Sequence, residues 1–80
     1  MKVTVKFFAY KELAGTDRSV VELPEGATVD DLAGMLRERF PGLFPMAEWA
    51  MYLVNQRTGA GDTRLSEGDQ VLMLQILGGG

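Results

Sequence analysis

The sequence predicts an α+β fold, a mixed sheet of four to five strands in the order β-β-α-β-β with one main helix packed on one face. Three observations carry this prediction. Residues 2–10 alternate with a period of two, residues 29–40 repeat apolar side chains at helical spacing, and residues 71–77 are the most apolar run of the chain.

In the first strand Val3, Val5, Phe7 and Ala9 form the core set, while Lys2, Thr4, Lys6 and Phe8 point the other way. Gly15-Thr16-Asp17 supplies turn chemistry, and Ser19 to Leu23 forms a second, edge strand hairpinned to the first. Pro24-Glu25-Gly26 ends that strand. Thr28 is an N-cap with Asp31 three residues on, a capping box, and Asp30 and Asp31 face the positive end of the helix dipole. Val29, Leu32, Ala33, Leu36 and Phe40 make one apolar stripe. Gly34 weakens this helix by about 1 kcal/mol relative to Ala, which points to close approach between helix and sheet. Pro41-Gly42 stops the helix. Residues 43–50 read as a loop or a single helical turn, and Met51 to Asn55 as a third strand. Asn55 to Arg64, with Gly59, Gly61 and Asp62, is a flexible connection that reverses the chain. Leu65 to Asp69 is a tight turn into the final strand. Placing the first and last strands side by side and parallel at the sheet centre buries the most apolar surface.

Eighty residues allow one domain with a single modest core. Apolar residues are 46% and charged residues 24%, the balance of a folded chain rather than a disordered one. A net charge of −3 argues against nucleic acid or an anionic membrane as partner. There is no Cys and no His, which excludes disulfides, thiol nucleophiles and metal sites built on those ligands. Lys2, Lys6 and Lys11 interrupt any signal-peptide core, and no apolar stretch approaches the ~20 residues of a membrane span. The expected location is cytoplasmic.

Side-chain catalysis has little to work with. Asp30 and Asp31 are explained as caps, Glu67 and Asp69 as turn residues, and Gly59-Ala60-Gly61 is too short for a phosphate loop. The chain is not expected to be catalytic alone. Two other features stand out. If Val71 and Met73 belong to the core, Leu72, Leu74 and Ile76 lie on the opposite face with Phe8, as an apolar docking patch. Otherwise residues 43–50 fold over that face, with Trp49 or Met46 as the cover. The second feature is Gly78-Gly79-Gly80, a tail following a domain of residues 1–77. Lacking Cβ atoms, it reaches roughly 10 Å when extended and fits a slot too narrow for side chains. The plain alternative is a frayed terminus.

Phe7-Phe8-Ala9, Glu12-Leu13 with Gly15, Val54-Asn55-Gln56, Leu65 with Gly68-Asp69-Gln70-Val71, and terminal Gly79-Gly80 together resemble the MoaD family, the small subunits of molybdopterin synthase. The resemblance spans the chain and keeps motif order. It implies the ubiquitin-like β-grasp fold and a sulfur carrier. An ATP-using, MoeB-like (E1-like) activating enzyme would adenylate the Gly80 carboxylate, and sulfur transfer would make it a thiocarboxylate. The tail, with Gly78 and Gly79 in the slot, would then enter a MoaE-like large subunit to build the molybdopterin dithiolene. Phe8 and Leu74 fall where the family sets apolar residues against both partners, and no cofactor is bound by the carrier itself. Gln75-Ile76 stands where these proteins commonly carry Pro-Pro, and Gly78 where another small residue is usual. Gln75-Ile76-Leu77 is closer to ThiS, the thiazole sulfur carrier. The alternatives are therefore a carrier for thiamin thiazole, cysteine or tRNA thiolation, or a ubiquitin-like modifier forming isopeptide bonds through Gly80.

Overall fold

A computed structural model describes residues 1–75. The chain runs β1 (Lys2–Lys6), a 3-10 turn at Phe8–Tyr10, α1 (Lys11–Ala14), β2 (Arg18–Glu22) and α2 (Val29–Arg39). Two further 3-10 turns follow at Pro41–Leu43 and Met46–Trp49, then β3 (Met51–Val54), β4 (Arg57–Gly59) and β5 (Gln70–Leu74). The five strands form one sheet in the order β2-β1-β5-β3-β4. As expected, β5 lies parallel to β1 at the centre, and β2 is an antiparallel edge strand paired with β1.

Alternation in β1 and β5 sends Val3, Val5, Val71 and Met73 into the core, where they meet Val21 of β2 and Leu32 and Leu36 of α2. Phe7 is fully buried and meets Phe40 edge-on at 5.1 Å between ring centres, a favoured geometry for aromatic pairs. The predicted capping box is present. The Asp31 N–H donates to Thr28 Oγ1 at 3.3 Å, and the Thr28 N–H donates to the Asp31 carboxylate at 2.9 Å. The next N–H groups of α2 are also satisfied, those of Val29 and Asp30 donating to the carbonyls of Thr63 and Gly61 at 2.9 Å each. Residues 60–65 thus close the start of the helix, where backbone donors otherwise lack partners. Gly61 fits because a Cβ there would sit 2.6 Å from the Asp30 carboxylate oxygens.

The structure corrects the sequence reading at several points. β1 stops at Lys6, because Phe8 adopts φ +46 and turns the chain. Ala9 is consequently exposed rather than in the core, and Tyr10 is buried in its place. The connection after it contains the single helical turn α1. Gly34 does not approach the sheet. It lies on the exposed side of α2, and a Cβ there would meet nothing within 4 Å. Asn55 opens a turn rather than ending β3. Asn55 and Gln56 have φ of +50 and +72, the positive pair that a two-residue hairpin turn requires. The supposedly flexible connection therefore starts with strand β4, paired with β3 from Val54↔Arg57 to Tyr52↔Gly59.

Residues 43–50 resolve into 3-10 structure on the helix side of the sheet, with a cis Phe44-Pro45 peptide bond. Leu43 and Ala47 are buried. Arg37 of α2 stacks over Phe44 at 4.3 Å and pairs with Glu48 at 3.0 Å, fastening this segment to the helix.

Candidate functional site

Because the 43–50 segment packs with α2, it does not fold over the far face of the sheet. Trp49 is 79% exposed and Met46 63%, so neither is the cover that the sequence allowed. They border a hollow of about 370 Å³ with Tyr10, Pro45 and Gln75, the last of these being the final described residue.

The far face is read from strand register. Lys6 of β1 is opposite Leu72 of β5, which is opposite Leu53 of β3. Leu74 is opposite Met51. Leu53, Leu72 and Leu74 are half-buried, while Met51 is exposed. Phe8, 48% exposed, stands beside Leu72 at the end of β1, and both line a hollow of about 410 Å³ with Lys6 and Gln70. The structure therefore brings Phe8 and Leu72 together and sets Leu74 on the same face. Ile76, Gly78, Gly79 and Gly80 lie outside the described residues. The face also takes in Leu53 and Met51, which the sequence reading leaves out. Their signal is the alternation Met51-Tyr52-Leu53-Val54, usable only once the partner of that strand is known.

Phe8 owes its exposure to its backbone. A bulky residue at positive φ is strained, and such strain persists only where surrounding structure enforces it. Here Phe7 anchors the position from below, its N–H donating to the Asp17 carbonyl at 2.9 Å while its own carbonyl accepts from the Tyr10 N–H at 2.9 Å. The Phe8 ring is left pointing outward.

Behind the face, the Asn55 to Gln70 region is held by side-chain bonds. Asn55 Nδ2 donates to Asp69 Oδ1 at 2.8 Å, and its Oδ1 accepts from the Gln70 N–H at 2.9 Å. Asp69 Oδ2 accepts from the Ser66 N–H at 2.7 Å. The sequence motifs around Asn55 and Asp69 therefore have a structural job, fixing the β3–β4 turn to the start of β5. Among the described residues, no group of three or more His, Cys, Asp or Glu is arranged to hold a metal ion, and no helix is long and apolar enough to cross a membrane.

The profile of the ThiS family matches residues 5–80. A molybdopterin synthase sulfur carrier subunit from Chlamydomonas reinhardtii is 29% identical, with the whole of both chains covered. Among solved structures, a Pyrococcus furiosus protein provisionally described as molybdopterin converting factor, subunit 1, superposes with a TM-score of 0.85 at 32% identity. That match covers 96% of this chain and 99% of the other. A complex of subunits 1 and 2 of the molybdopterin-converting factor from Helicobacter pylori contains a chain matching at a TM-score of 0.73 and 22% identity, with both fully covered. The fold is the ubiquitin-like β-grasp.

Proposed function

The chain belongs to the ThiS family, and from that premise we propose that it is a cytoplasmic sulfur carrier serving as the small subunit of a molybdopterin synthase. The observation that carries this reading is the end-to-end similarity to the Chlamydomonas reinhardtii sulfur carrier subunit. The docking face around Phe8, Leu72 and Leu74 supports it, because a carrier must be held by each protein that works on it.

The chemistry needs only the terminal carboxylate. One Gly80 carboxylate oxygen attacks the α-phosphorus of ATP on an E1-like activating enzyme, and pyrophosphate leaves. The resulting acyl adenylate has AMP as a good leaving group in place of oxide. Sulfur at the sulfide level, delivered as hydrosulfide, then attacks the carbonyl carbon. The C–O bond breaks with AMP leaving, and loss of the S–H proton gives the thiocarboxylate. In the large subunit the sulfur of this soft nucleophile bonds to a carbon of a pterin precursor, displacing an oxygen substituent. Water then cleaves the acyl C–S bond, restoring the Gly80 carboxylate. The catalytic side chains belong to the partners, so a chain without His or Cys suffices. Gly78 and Gly79 would thread the slot, and Gly80 would carry the sulfur.

Intact mass after incubation with ATP, an E1-like enzyme and a sulfur source tests the proposal. The expected product has one terminal oxygen replaced by sulfur, and it passes that sulfur on when the large subunit and a pterin precursor are added. High-mass conjugates would instead mark a protein modifier, and loading without transfer to the pterin would mark a carrier for another thiolation pathway. Unchanged mass would overturn sulfur carriage. A chain extended by one bulky residue after Gly80 is expected to load nothing.

A further inference from the structure

Lys6 and Arg18 are paired residues on β1 and β2. They stand side by side on the sheet face turned away from the core. Like charges directly opposite one another destabilise an antiparallel pair, so this arrangement works against the fold. Asp17 lines the cleft beside them but makes no ion pair with either cation. Among the described residues the one ion pair is Arg37–Glu48, on the other side of the sheet. Lys11 adds a third cation to the same cleft, of about 500 Å³, whose remaining lining is Phe8, Ala9 and Asp17. Three cations thus meet one carboxylate, in a chain whose net charge is −3.

The cationic pair is continuous with the apolar face. One cross-strand row runs from Arg18 to Lys6, Leu72 and Leu53. Its first half is basic and its second half apolar. Phe8 stands at the junction and lines the hollows on both sides. Local sequence choices that oppose stability tend to sit where function requires them.

We infer that the Lys6–Arg18 pair receives carboxylate side chains of the protein that docks on the apolar face, beside an apolar anchor seated over Phe8 and Leu72. This inference rests on the carrier reading above and specifies the chemistry of the partner's surface. A carboxylate between the two cations converts their repulsion into attraction, so the free carrier is strained where the complex is not. A phosphate polymer fits less well. The overall negative charge repels it, and the leucine half of the row offers it nothing.

The test compares wild type with Lys6→Gln, Arg18→Gln and the double variant. Two quantities are read, the melting temperature of the free protein and the affinity for the large subunit and for the activating enzyme at low and high salt. The double variant is expected to melt higher than wild type and to bind at least one of the two partners roughly tenfold more weakly at low salt, with much of the salt dependence gone. Opposite movement of stability and affinity is the signature, since a residue that merely supports the fold would lower both. A wild-type complex that forms with unchanged affinity in the double variant overturns this inference alone. Competition by inorganic phosphate that is lost in the double variant also overturns it, assigning the pair to phosphate. Failure of wild type to bind either protein would sink the carrier reading, and this inference with it.

Discussion

Two faces of the same strand behave as two different materials. Along β5, Val71 and Met73 are 0% exposed, whereas Leu72 and Leu74, each one residue away, are only half-buried. All four are apolar, so composition does not separate them. What separates them is parity: alternate side chains point to opposite faces, and the helical segments with buried residues in the core lie on one of them. One face holds the protein together, and the other keeps its apolar residues half-exposed.

The sharpest way to break this contrast is to truncate one residue of each kind. Met73→Ala is expected to cost about 2–5 kcal/mol of stability, the range for a fully buried large side chain. Leu72→Ala should cost less than about 1.5 kcal/mol, because part of its surface already meets water. Urea denaturation of both variants checks this, and equal losses would mean that the far face is a second core.

Next in size is a charge on the far face. Phe8→Asp is expected to weaken partner binding by about 2 kcal/mol, roughly thirtyfold, without lowering the melting temperature. Calorimetric titration and a thermal melt read the two effects, and unfolding of this variant would show that Phe8 supports the fold instead. A smaller gain is expected at Gly34. With open space around it, Gly34→Ala should stabilise the protein by about 0.5–1 kcal/mol, visible as a rise in melting temperature.

The smallest effect concerns alkaline pH. Burial pushes the Tyr52 phenol above its ordinary value, with the nearby Tyr10 phenol adding to the shift. Folded Tyr52 therefore keeps its proton at a pH where the unfolded chain, titrating near ~10, has begun to lose it. The unfolded state then binds fewer protons, and stability falls as pH rises through that window. Tyr52→Phe should flatten the alkaline limb of a plot of stability against pH. An unchanged limb would place Tyr52 in contact with water.

How much of this was legible depended on the range of the interactions involved. The α2 capping box could be read directly, since Thr28 and Asp31 satisfy each other within one helical turn. The core residues of β1 up to Phe7 followed from strict alternation. In β5, by contrast, Val71 to Leu74 are all apolar, so the parity of Val71 and Met73 was open until the strand was paired. β4 did not. Its turn uses Asn55-Gln56 rather than a glycine pair, and the glycines at 59 and 61 drew the expected reversal downstream. The exposure of Gly34 is not legible in the sequence, because helical spacing near the edge of an apolar stripe does not say which side meets the sheet. The Lys6–Arg18 confrontation was invisible as well, because it exists only once β1 and β2 are paired in register.

By itself, then, the sequence determined what local chemistry can enforce: where the central strands and the main helix lie, where the helix begins, and which apolar residues alternate. Tertiary structure decided which face stays open, that residues 43–50 side with the helix, and which charges are forced together. Those outcomes depend on contacts between residues far apart in the chain, and no run of neighbouring residues encodes them.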